Sequence, residues 1–178
     1  MLFRSNQIDV GAADHHNVEA CVLTHEHTLA QGNYVRGVAE RPRILVDCDP
    51  GHDDAVALVV AARFGDLVGV TTVAGNAPLT HTTRNARIVL DLIGSDVPLH
   101  SGAQRPLVAP ARHAQNVHGE SGLDGADLPE PSRPADSADA IGFIIDTCRA
   151  TEGLWLVPVG PLTDRKSTRL NSSHIPLS

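Results

Sequence analysis

An apolar run that ends in four acids within eight residues constrains the fold of this chain more than any other feature. Residues 43–48 have the pattern of a buried strand, because a short apolar, partly β-branched run is closed by a turn signal. Pro50-Gly51 supplies that turn, since proline fixes φ and glycine tolerates a sharp reversal. From Asp53, which suits a helix N-cap, the apolar residues up to Ala62 predict a mostly buried helix. The sequence therefore predicts a strand, a tight turn and a helix in direct succession.

The acids of this segment are predicted to gather in one place. The strand, turn and helix aim Asp49, Asp53 and Asp54 into a small volume at the carboxyl end of a strand, where open α/β sheets form their ligand crevice. Close carboxylates raise one another's pKa and stay ionised together only beside a cation. Oxygen ligands without a Cys or His partner favour a hard cation, Ca²⁺ or Mg²⁺. The alternative is that these acids only cap the strand and the helix.

The composition limits the classes of protein that fit. The 178 residues suffice for one domain, and its core must be aliphatic because aromatics make up only 3%. A formal net charge of -7 argues against a nucleic-acid partner or an anionic membrane surface, since both need basic patches. Three widely spaced cysteines predict reduced thiols in a cytoplasmic protein. No window has the ~20 apolar residues of a membrane span, and the N-terminus lacks the apolar region of a signal peptide.

The sequence divides into three parts. Residues 1–42 form a His-rich extension that we expect to be poorly ordered. Within it, His25-Glu26-His27 resembles the first metal-binding strand of amidohydrolase barrels, but such a barrel needs roughly 250 residues. Residues 43–164 carry the alternating elements. Residues 165–178 are polar, basic and without a hydrophobic period, and they resemble the translation of sequencing-adaptor read-through. We expect that tail to be disordered or foreign to the natural protein.

The middle part predicts a sheet covered by helices. Strands are expected over residues 67–73, 97–100 and 154–157, and helices over 80–93 and about 137–150. Asp136 or Ser137 is expected to cap the last helix. The long segment 102–136, rich in Pro, Gly and His, is expected to be a functional loop. The order βαβαβ, loop, αβ predicts an α/β protein with a Rossmann-like, mostly parallel sheet flanked by helices.

Five short motifs follow one another along the middle part. They are Asp47-Cys48-Asp49-Pro50-Gly51-His52-Asp53-Asp54-Ala55, Val70-Thr71-Thr72-Val73-Ala74-Gly75-Asn76, Thr83-Arg84-Asn85-Ala86, His118-Gly119-Glu120-Ser121-Gly122-Leu123 and Val159-Gly160-Pro161-Leu162-Thr163. In this order they resemble the N-terminal portion of the inosine-uridine preferring nucleoside hydrolase family. The resemblance implies a truncated nucleoside hydrolase fold. It also implies hydrolysis of the N-glycosidic bond of ribonucleosides to ribose and a free base.

The resemblance implies a Ca²⁺ cofactor and its ligands. Asp49 would be both a calcium ligand and the general base that acts on the attacking water. Asp54 would be a second ligand, and Val159 would give its backbone carbonyl, a role that does not depend on its side chain. A Ca²⁺ bound in this way chelates ribose hydroxyls and holds a water for attack.

The resemblance also implies a small-molecule ribonucleoside as the partner. Asp53 and Asn76 would hydrogen-bond the ribose hydroxyls, and His118 would lie near the base, although a surface histidine is an equal alternative. Asp47 is expected to be structural, because strand alternation places it on the face of Asp49, one step toward the core. Full-length members of the family are commonly homo-oligomers.

The chain departs from the family in ways that bear on activity. The family's last calcium-binding Asp and further ribose-binding residues belong to a second half without a counterpart here. Asp164 stands where the family usually has Asn. The sheet would also keep an exposed hydrophobic edge. We therefore expect the chain alone to bind Ca²⁺ weakly, to aggregate readily and to have little activity.

Two other functions fit part of the pattern. A haloacid-dehalogenase-like phosphatase also begins with a strand and Asp-x-Asp, but it requires Thr or Val two residues after the second Asp, where Gly51 stands. A noncatalytic divalent-cation-binding fragment would also account for the acids. An EF-hand is excluded because His52 stands where its loop needs Gly, and a P-loop because its Gly-rich Lys motif is absent from the sequence.

Overall fold

The computed structural model of this chain describes residues 41–125 and 127–172. Within them the elements are β1 (Arg43–Cys48), α1 (His52–Phe64), β2 (Asp66–Thr72), α2 (Leu79–Leu92), β3 (Leu99–Ser101), α3 (Gln115–His118), α4 (Ala140–Ala150), β4 (Leu154–Pro158) and α5 (Thr163–Ser172). The predictions for residues 1–40, which include the His25-Glu26-His27 motif, and for residues 173–178 lie outside the described residues.

The four strands form one parallel sheet in the order β3-β2-β1-β4. This confirms the predicted Rossmann-like, parallel sheet flanked by helices. The chain runs outward from β1 through β2 to β3 and then returns to the other side of β1 with β4. The strand order therefore reverses between β1 and β4, and open α/β sheets bind ligands at the carboxyl ends of the strands at such a point.

Strand β1 lies in the middle of this sheet and is packed on both faces. One face contributes Val46 and Cys48 to a core shared with α1, α2 and β3, whereas Leu45 packs on the other face with Ile144 of α4 and Leu154 of β4. Because a close-packed interior allows little movement, the end of β1 is a rigid platform for the acids that follow it.

Helix α1 is less buried than its sequence predicts. Its buried residues are only Asp54, Leu58 and Ala61, which share one face at helical spacing. The opposite side carries apolar residues that are between 44% and 70% exposed, namely Val56, Val59, Val60 and Phe64. The prediction of a mostly buried helix was wrong, because α1 packs on the sheet by one stripe only. Across the described ranges, no helix is both long and apolar enough to cross a membrane.

Two predicted helix caps differ from the structure. Gly51, not Asp53, precedes α1, so Asp53 and Asp54 lie in the first helical turn. Asp139, not Asp136 or Ser137, caps α4, and its carboxylate accepts the Gly142 N–H at 2.9 Å. The Asp136 carboxylate instead accepts the backbone N–H of Leu99 at 2.8 Å, so it is committed to β3.

The segment after β4 also differs from expectation. Residues 165–172 continue helix α5, whereas their composition predicts a tail without regular structure. The hydroxyls of Ser167 and Thr168 donate to the backbone carbonyls of Thr163 and Asp164, at 3.0 and 2.8 Å. These two hydroxyls thus bond to the backbone in the first turns of α5.

A buried ion pair ties α2 to the segment before α4. The Arg87 side chain is only 2% exposed, and its Nη2 lies 3.2 Å from Asp136 Oδ2. We expect Arg87→Met to lower the free energy of unfolding by about 2 to 3 kcal/mol, less than for a fully buried pair because Asp136 keeps Arg133. The matched control is Arg84→Met on the same helix, whose exposed pair with Glu130 predicts a loss below about 1 kcal/mol. Equal losses in urea unfolding of the two variants would contradict this assignment.

Candidate active site

The candidate site lies at the carboxyl ends of β1 and β4, where the strand order reverses. Asp49 follows β1 directly and is 5% exposed. The turn after β4 approaches it closely: Val159 N–H donates to the Asp47 carbonyl at 2.8 Å, and a Cβ at Gly160 would lie 2.9 Å from Asp49 Oδ1. The predicted position of the acids at a strand end, beside the turn that carries Val159, is what the structure has.

Asn76 links the acids of the site. It lies in the turn after β2, and its backbone N–H donates to Asp49 Oδ2 at 2.6 Å. Its side-chain Nδ2 donates to the Asp49 carbonyl at 3.1 Å and lies 3.3 Å from Asp54 Oδ2. The predicted residues Asp49, Asp54 and Asn76 are therefore brought together by three different segments of the fold.

The carboxylates of Asp49 and Asp54 have raised pKa values. The pKa of Asp49 is raised to about 7, mainly by burial and also by repulsion from Asp54, against the lowering effect of the Asn76 N–H. Burial also raises the pKa of Asp54, followed by repulsion from Asp53. None of the ion pairs in the described part of the chain involves Asp49 or Asp54. A cation placed here would lower both pKa values and favour the ionised carboxylates.

These residues fit part of a site for a hard divalent cation. Asp54 Oδ1 is buried without a hydrogen-bond partner, and the donors that converge are carboxylate oxygens, the type that Ca²⁺ and Mg²⁺ prefer. Among residues 41–125 and 127–172, however, no three His, Cys, Asp or Glu side chains are grouped so that they could hold a metal ion. The carboxylates of Asp49 and Asp54 thus supply some of the oxygen ligands that such a cation needs, and not a complete set.

The predicted substrate residues Asp53 and His118 lie at the mouth of the site. The Asp53 side chain is 79% exposed, and its Oδ1 lies 3.8 Å from Nε2 of His118, which is only 13% exposed. His118 ends the short helix α3 within the long loop, an element that the sequence did not predict. The loop is bonded to the turn after β2, since the Ala114 N–H donates to the Asn76 carbonyl at 2.9 Å. The loop thereby brings His118 within reach of the acid-bearing turn.

A second pair of acids lies behind the first. Asp47 Oδ1 accepts the Thr71 hydroxyl at 2.7 Å. The pKa of Asp47 is raised to about 7, mainly by burial and also by repulsion from Asp164, against the lowering effect of that hydrogen bond. Asp164 Oδ1 accepts the Ala103 N–H at 2.9 Å, and burial raises its pKa too. The second carboxylate oxygen of each acid has no hydrogen-bond partner.

Sequence reasoning missed the environment of several residues. In the sequence Asp164 stands out only as a departure from the family pattern, whereas in the structure it is fully buried beside the site. His52 was treated as an interruption between acids, yet its ring contacts both His118 and the Asp124 carbonyl. The position of His52 inside the motif was the only available signal for it, and no pattern along the chain pointed to Asp124.

Fold and site together define the class of this protein: it is a Rossmann-like α/β protein with a cluster of acids at the carboxyl ends of β1 and β4, where the strand order reverses. A model of the family described as inosine-uridine preferring nucleoside hydrolase matches residues 44–165. The chain belongs to that family, and the resemblance of the five motifs is confirmed.

Relatives and solved structures agree with this assignment. The chain is 46% identical over 127 residues to an uncharacterized protein of Schizosaccharomyces pombe and 44% identical over 128 residues to the pyrimidine-specific ribonucleoside hydrolase RihB of Escherichia coli. These alignments cover 68% and 70% of the chain but only 41% of each relative. The structure also matches a purine-preferring ribonucleoside hydrolase from Gardnerella vaginalis, with a TM-score of 0.66 and 26% identity, over 73% of this chain and 44% of that one. The chain therefore spans about two fifths of the length of these curated relatives.

The close packing around Asp49 leaves no room for a side chain at Gly75. A Cβ at Gly75 would collide with Asp49 Oδ2 and would lie 2.7 Å from Pro161. We expect Gly75→Ala to displace the Asp49 carboxylate and so to weaken binding of a divalent cation at the candidate site, tested with Ca²⁺ by calorimetric titration, by about 10-fold or more. The matched control is Gly69→Ala on β2, where a Cβ would crowd the apolar side chains of Phe143 and Leu45 rather than an acid. That variant should lose stability without a selective loss of Ca²⁺ affinity, and a loss of the same size in both variants would count against a site role for Gly75.

Proposed function

We propose that this site serves calcium-dependent hydrolysis of the N-glycosidic bond of ribonucleosides, which gives ribose and a free base. The observation that carries the proposal is the buried Asp49 carboxylate, held by Asn76 beside Asp54 where the strand order reverses. Membership of the nucleoside hydrolase family supports the reaction class. The substrate is proposed only as a ribonucleoside, because the matched relatives include both a pyrimidine-specific and a purine-preferring enzyme.

Asp49 is proposed as the general base that takes a proton from the attacking water. A general base works best when its pKa lies near the working pH. Burial raises the pKa of Asp49 to about 7 in the absence of a metal, and a bound cation would lower that pKa, so that the carboxylate is ionised at neutral pH and able to accept a proton. The Asn76 N–H fixes one oxygen of that carboxylate at 2.6 Å.

Asp49, Asp54 and the backbone carbonyl of Val159 are proposed to hold the cation. The family generally binds a divalent metal, and Ca²⁺ is our specific proposal, supported by the all-oxygen donors. When bound, such a cation orients the sugar hydroxyls and a water and stabilises negative charge. The acids of the crevice would also stabilise the positive charge that develops on the sugar as the bond to the base breaks.

The outer residues are proposed to bind the nucleoside. Asp53 would accept hydrogen bonds from the ribose hydroxyls, Asn76 would donate to them, and His118 would lie toward the base. Asp53 is exposed and therefore accessible to a ligand, whereas Asn76 is only partly buried between the acids. We further propose a cytoplasmic location, which the cysteines predict, and homo-oligomers for full-length members of the family, which the resemblance implies.

Product analysis tests the proposal. Free ribose would be measured after incubation with inosine or uridine, on this chain and on a fusion in which residues 41–164 are followed by the unmatched C-terminal part of RihB. We expect ribose release by the fusion and little by the chain alone, because part of the ligand set is missing. Release of phosphate from an aryl phosphate would instead support the phosphatase alternative. A folded fusion that binds Ca²⁺ but releases neither product would support the noncatalytic alternative.

A further inference from the structure

A buried asparagine of helix α2 joins the acid-bearing turn after β1 to the long loop. Asn85 is only 1% exposed, and its Nδ2 donates to the carbonyl of Pro50 at 3.0 Å and to the carbonyl of Ser121 at 2.7 Å. We propose that Asn85 is a positioning residue that holds the segment 118–124 against the acid-bearing turn and thereby sets the place of His118. Where it concerns the ligand, this inference rests on the proposed function.

The two acceptors explain why the side chain at this position is an amide. A carbonyl oxygen only accepts hydrogen bonds, so the atom between the two carbonyls must donate twice. The amide nitrogen of Asn carries two hydrogens and can do this, whereas a Ser or Thr hydroxyl donates once and a carboxylate does not donate. Asn85 Oδ1 is buried without a hydrogen-bond partner. The side chain therefore contributes to the fold through its two donors.

The backbone on both sides of this link is shaped to allow it. Gly122 has a φ of +89°, and a Cβ there would lie 3.1 Å from Asn85 Nδ2 and 3.2 Å from the Pro50 carbonyl oxygen. A side chain at Gly122 would be strained by the left-handed backbone and would crowd both ends of the link. At Gly51, a Cβ would lie 2.9 Å from His118 Nδ1. Both glycines therefore let the loop touch the acid-bearing turn.

The bond at Ser121 can place His118 because the segment between them is closed on itself. The Asp124 carboxylate accepts the Ser121 N–H at 3.2 Å, and the Asp124 N–H donates to the His118 carbonyl at 3.2 Å. The His52 ring also contacts this segment, at the Asp124 carbonyl, but His52 is exposed. A hydrogen bond is stronger in the low dielectric of a buried site, so the bond from Asn85 is the firmer of the two.

The acids and the histidine of the site thus have different supports. The acids are held by the end of β1 and by Asn76, which bonds to both inner carboxylates. Pro50 lies between these acids, and its ring fixes φ in the turn independently of Asn85. His118, which lies toward the base in the proposed function, is held through Asn85. Loss of the link should therefore weaken binding of a whole nucleoside more than binding of ribose or of Ca²⁺.

Hydrogen–deuterium exchange on the full chain, without nucleoside, tests the link itself. Asn85→Ala removes both donors, so we expect the amides of 118–124 to exchange at least about 10-fold faster while those of β1 stay protected. The matched control is Thr82→Val, which removes another buried donor of α2, the hydroxyl that bonds to the Val73 carbonyl at 3.0 Å. That variant should leave exchange in 118–124 unchanged.

Two further measurements decide the question even if Asn85→Ala does not fold. In the unmodified chain, the side-chain amide protons of Asn85 should exchange with solvent far more slowly than those of Asn116, which is exposed. Gly122→Ala, within the loop, should also accelerate exchange in 118–124. Rapid exchange of the Asn85 amide protons would overturn the inference, as would unchanged protection of 118–124 in a folded variant of either kind.

Kinetics on the fusion with RihB test the role toward the ligand. Base release from inosine or uridine would be followed by absorbance, with free ribose as a competitive inhibitor. We expect Asn85→Ala to raise KM for the nucleoside by about 10- to 100-fold. The inhibition constant of ribose and the Ca²⁺ concentration for half-maximal rate should stay nearly unchanged.

Equal weakening of nucleoside and ribose binding would contradict the role of Asn85 in placing His118. Because the exchange experiments contain no nucleoside, failure of the link is distinct from failure of the proposed function.

Discussion

Replacement of Asp49 by Asn is expected to lower the rate of ribose release from inosine or uridine by about 10²- to 10⁴-fold, the usual contribution of a general base. The Asn side chain keeps nearly the same shape and can still accept the Asn76 N–H, which lies 2.6 Å from Asp49 Oδ2. It cannot take a proton from water at neutral pH. The rate would be measured on the fusion with RihB, because the chain spans only about two fifths of its relatives.

The control for this variant is Asp66→Asn. Asp66 is an exposed acid at the start of β2, remote from the crevice, so the same chemical change there should leave the rate within about twofold. Thermal melting of both variants separates loss of catalysis from loss of fold. A fully active Asp49→Asn variant would remove Asp49 from the catalytic role.

The stability of the metal-free chain is expected to fall as the pH rises from about 4 to about 7. Burial raises the pKa of Asp47 and Asp49 from 3.8 to about 7. Between pH 3.8 and about 7 the folded state binds more protons than the unfolded state. The stabilisation is therefore complete below the pKa of the unfolded state and is lost as the pH rises through the pKa of the folded state. At about 1.4 kcal/mol per pKa unit, the two acids predict a loss on the order of several kcal/mol. Urea unfolding at a series of pH values measures it.

Calcium should counteract this loss. A bound cation favours ionised carboxylates, so the gain in melting temperature on adding Ca²⁺ should be larger at pH 8 than at pH 5. Asp47→Asn should flatten the pH dependence and stabilise the metal-free chain at pH 8, because the amide keeps an acceptor for the Thr71 hydroxyl and carries no charge. A chain whose stability is constant from pH 5 to pH 8 would contradict the assignment of raised pKa values to these acids.

Local patterns predicted the elements that position the site. Strand β1 follows the predicted residues 43–48, and the other strands and helices α2 and α4 lie within a few residues of their predicted bounds. The order of elements was sufficient for the parallel sheet, because parallel strands need crossover connections. The order of elements along the chain also predicted Asp49 at the end of a strand, and this position is what pointed to a ligand site at the acid-rich motif.

What the sequence could not provide are contacts between distant segments. Asn85 joins two such segments: its Nδ2 donates to the carbonyls of Pro50 and Ser121, at 3.0 and 2.7 Å. The burial of Asp164 depends on the segment after β3, where the Ala103 N–H donates to its carboxylate. The exposed side of α1 was equally unpredictable, because an apolar helix has the same periodicity whether one or both sides are covered. Each of these features depends on packing that no local pattern encodes.

The most direct test of the calcium–ribonucleoside site is ribose release from inosine or uridine by the fusion before calcium removal, after chelation and after Ca²⁺ is returned. We predict that the chelator abolishes release, that Ca²⁺ restores it, and that the Asp54→Asn variant needs a much higher Ca²⁺ concentration for the same rate. Full release by the metal-free fusion would contradict the central claim that Asp49 and Asp54 form a calcium site for ribonucleoside hydrolysis.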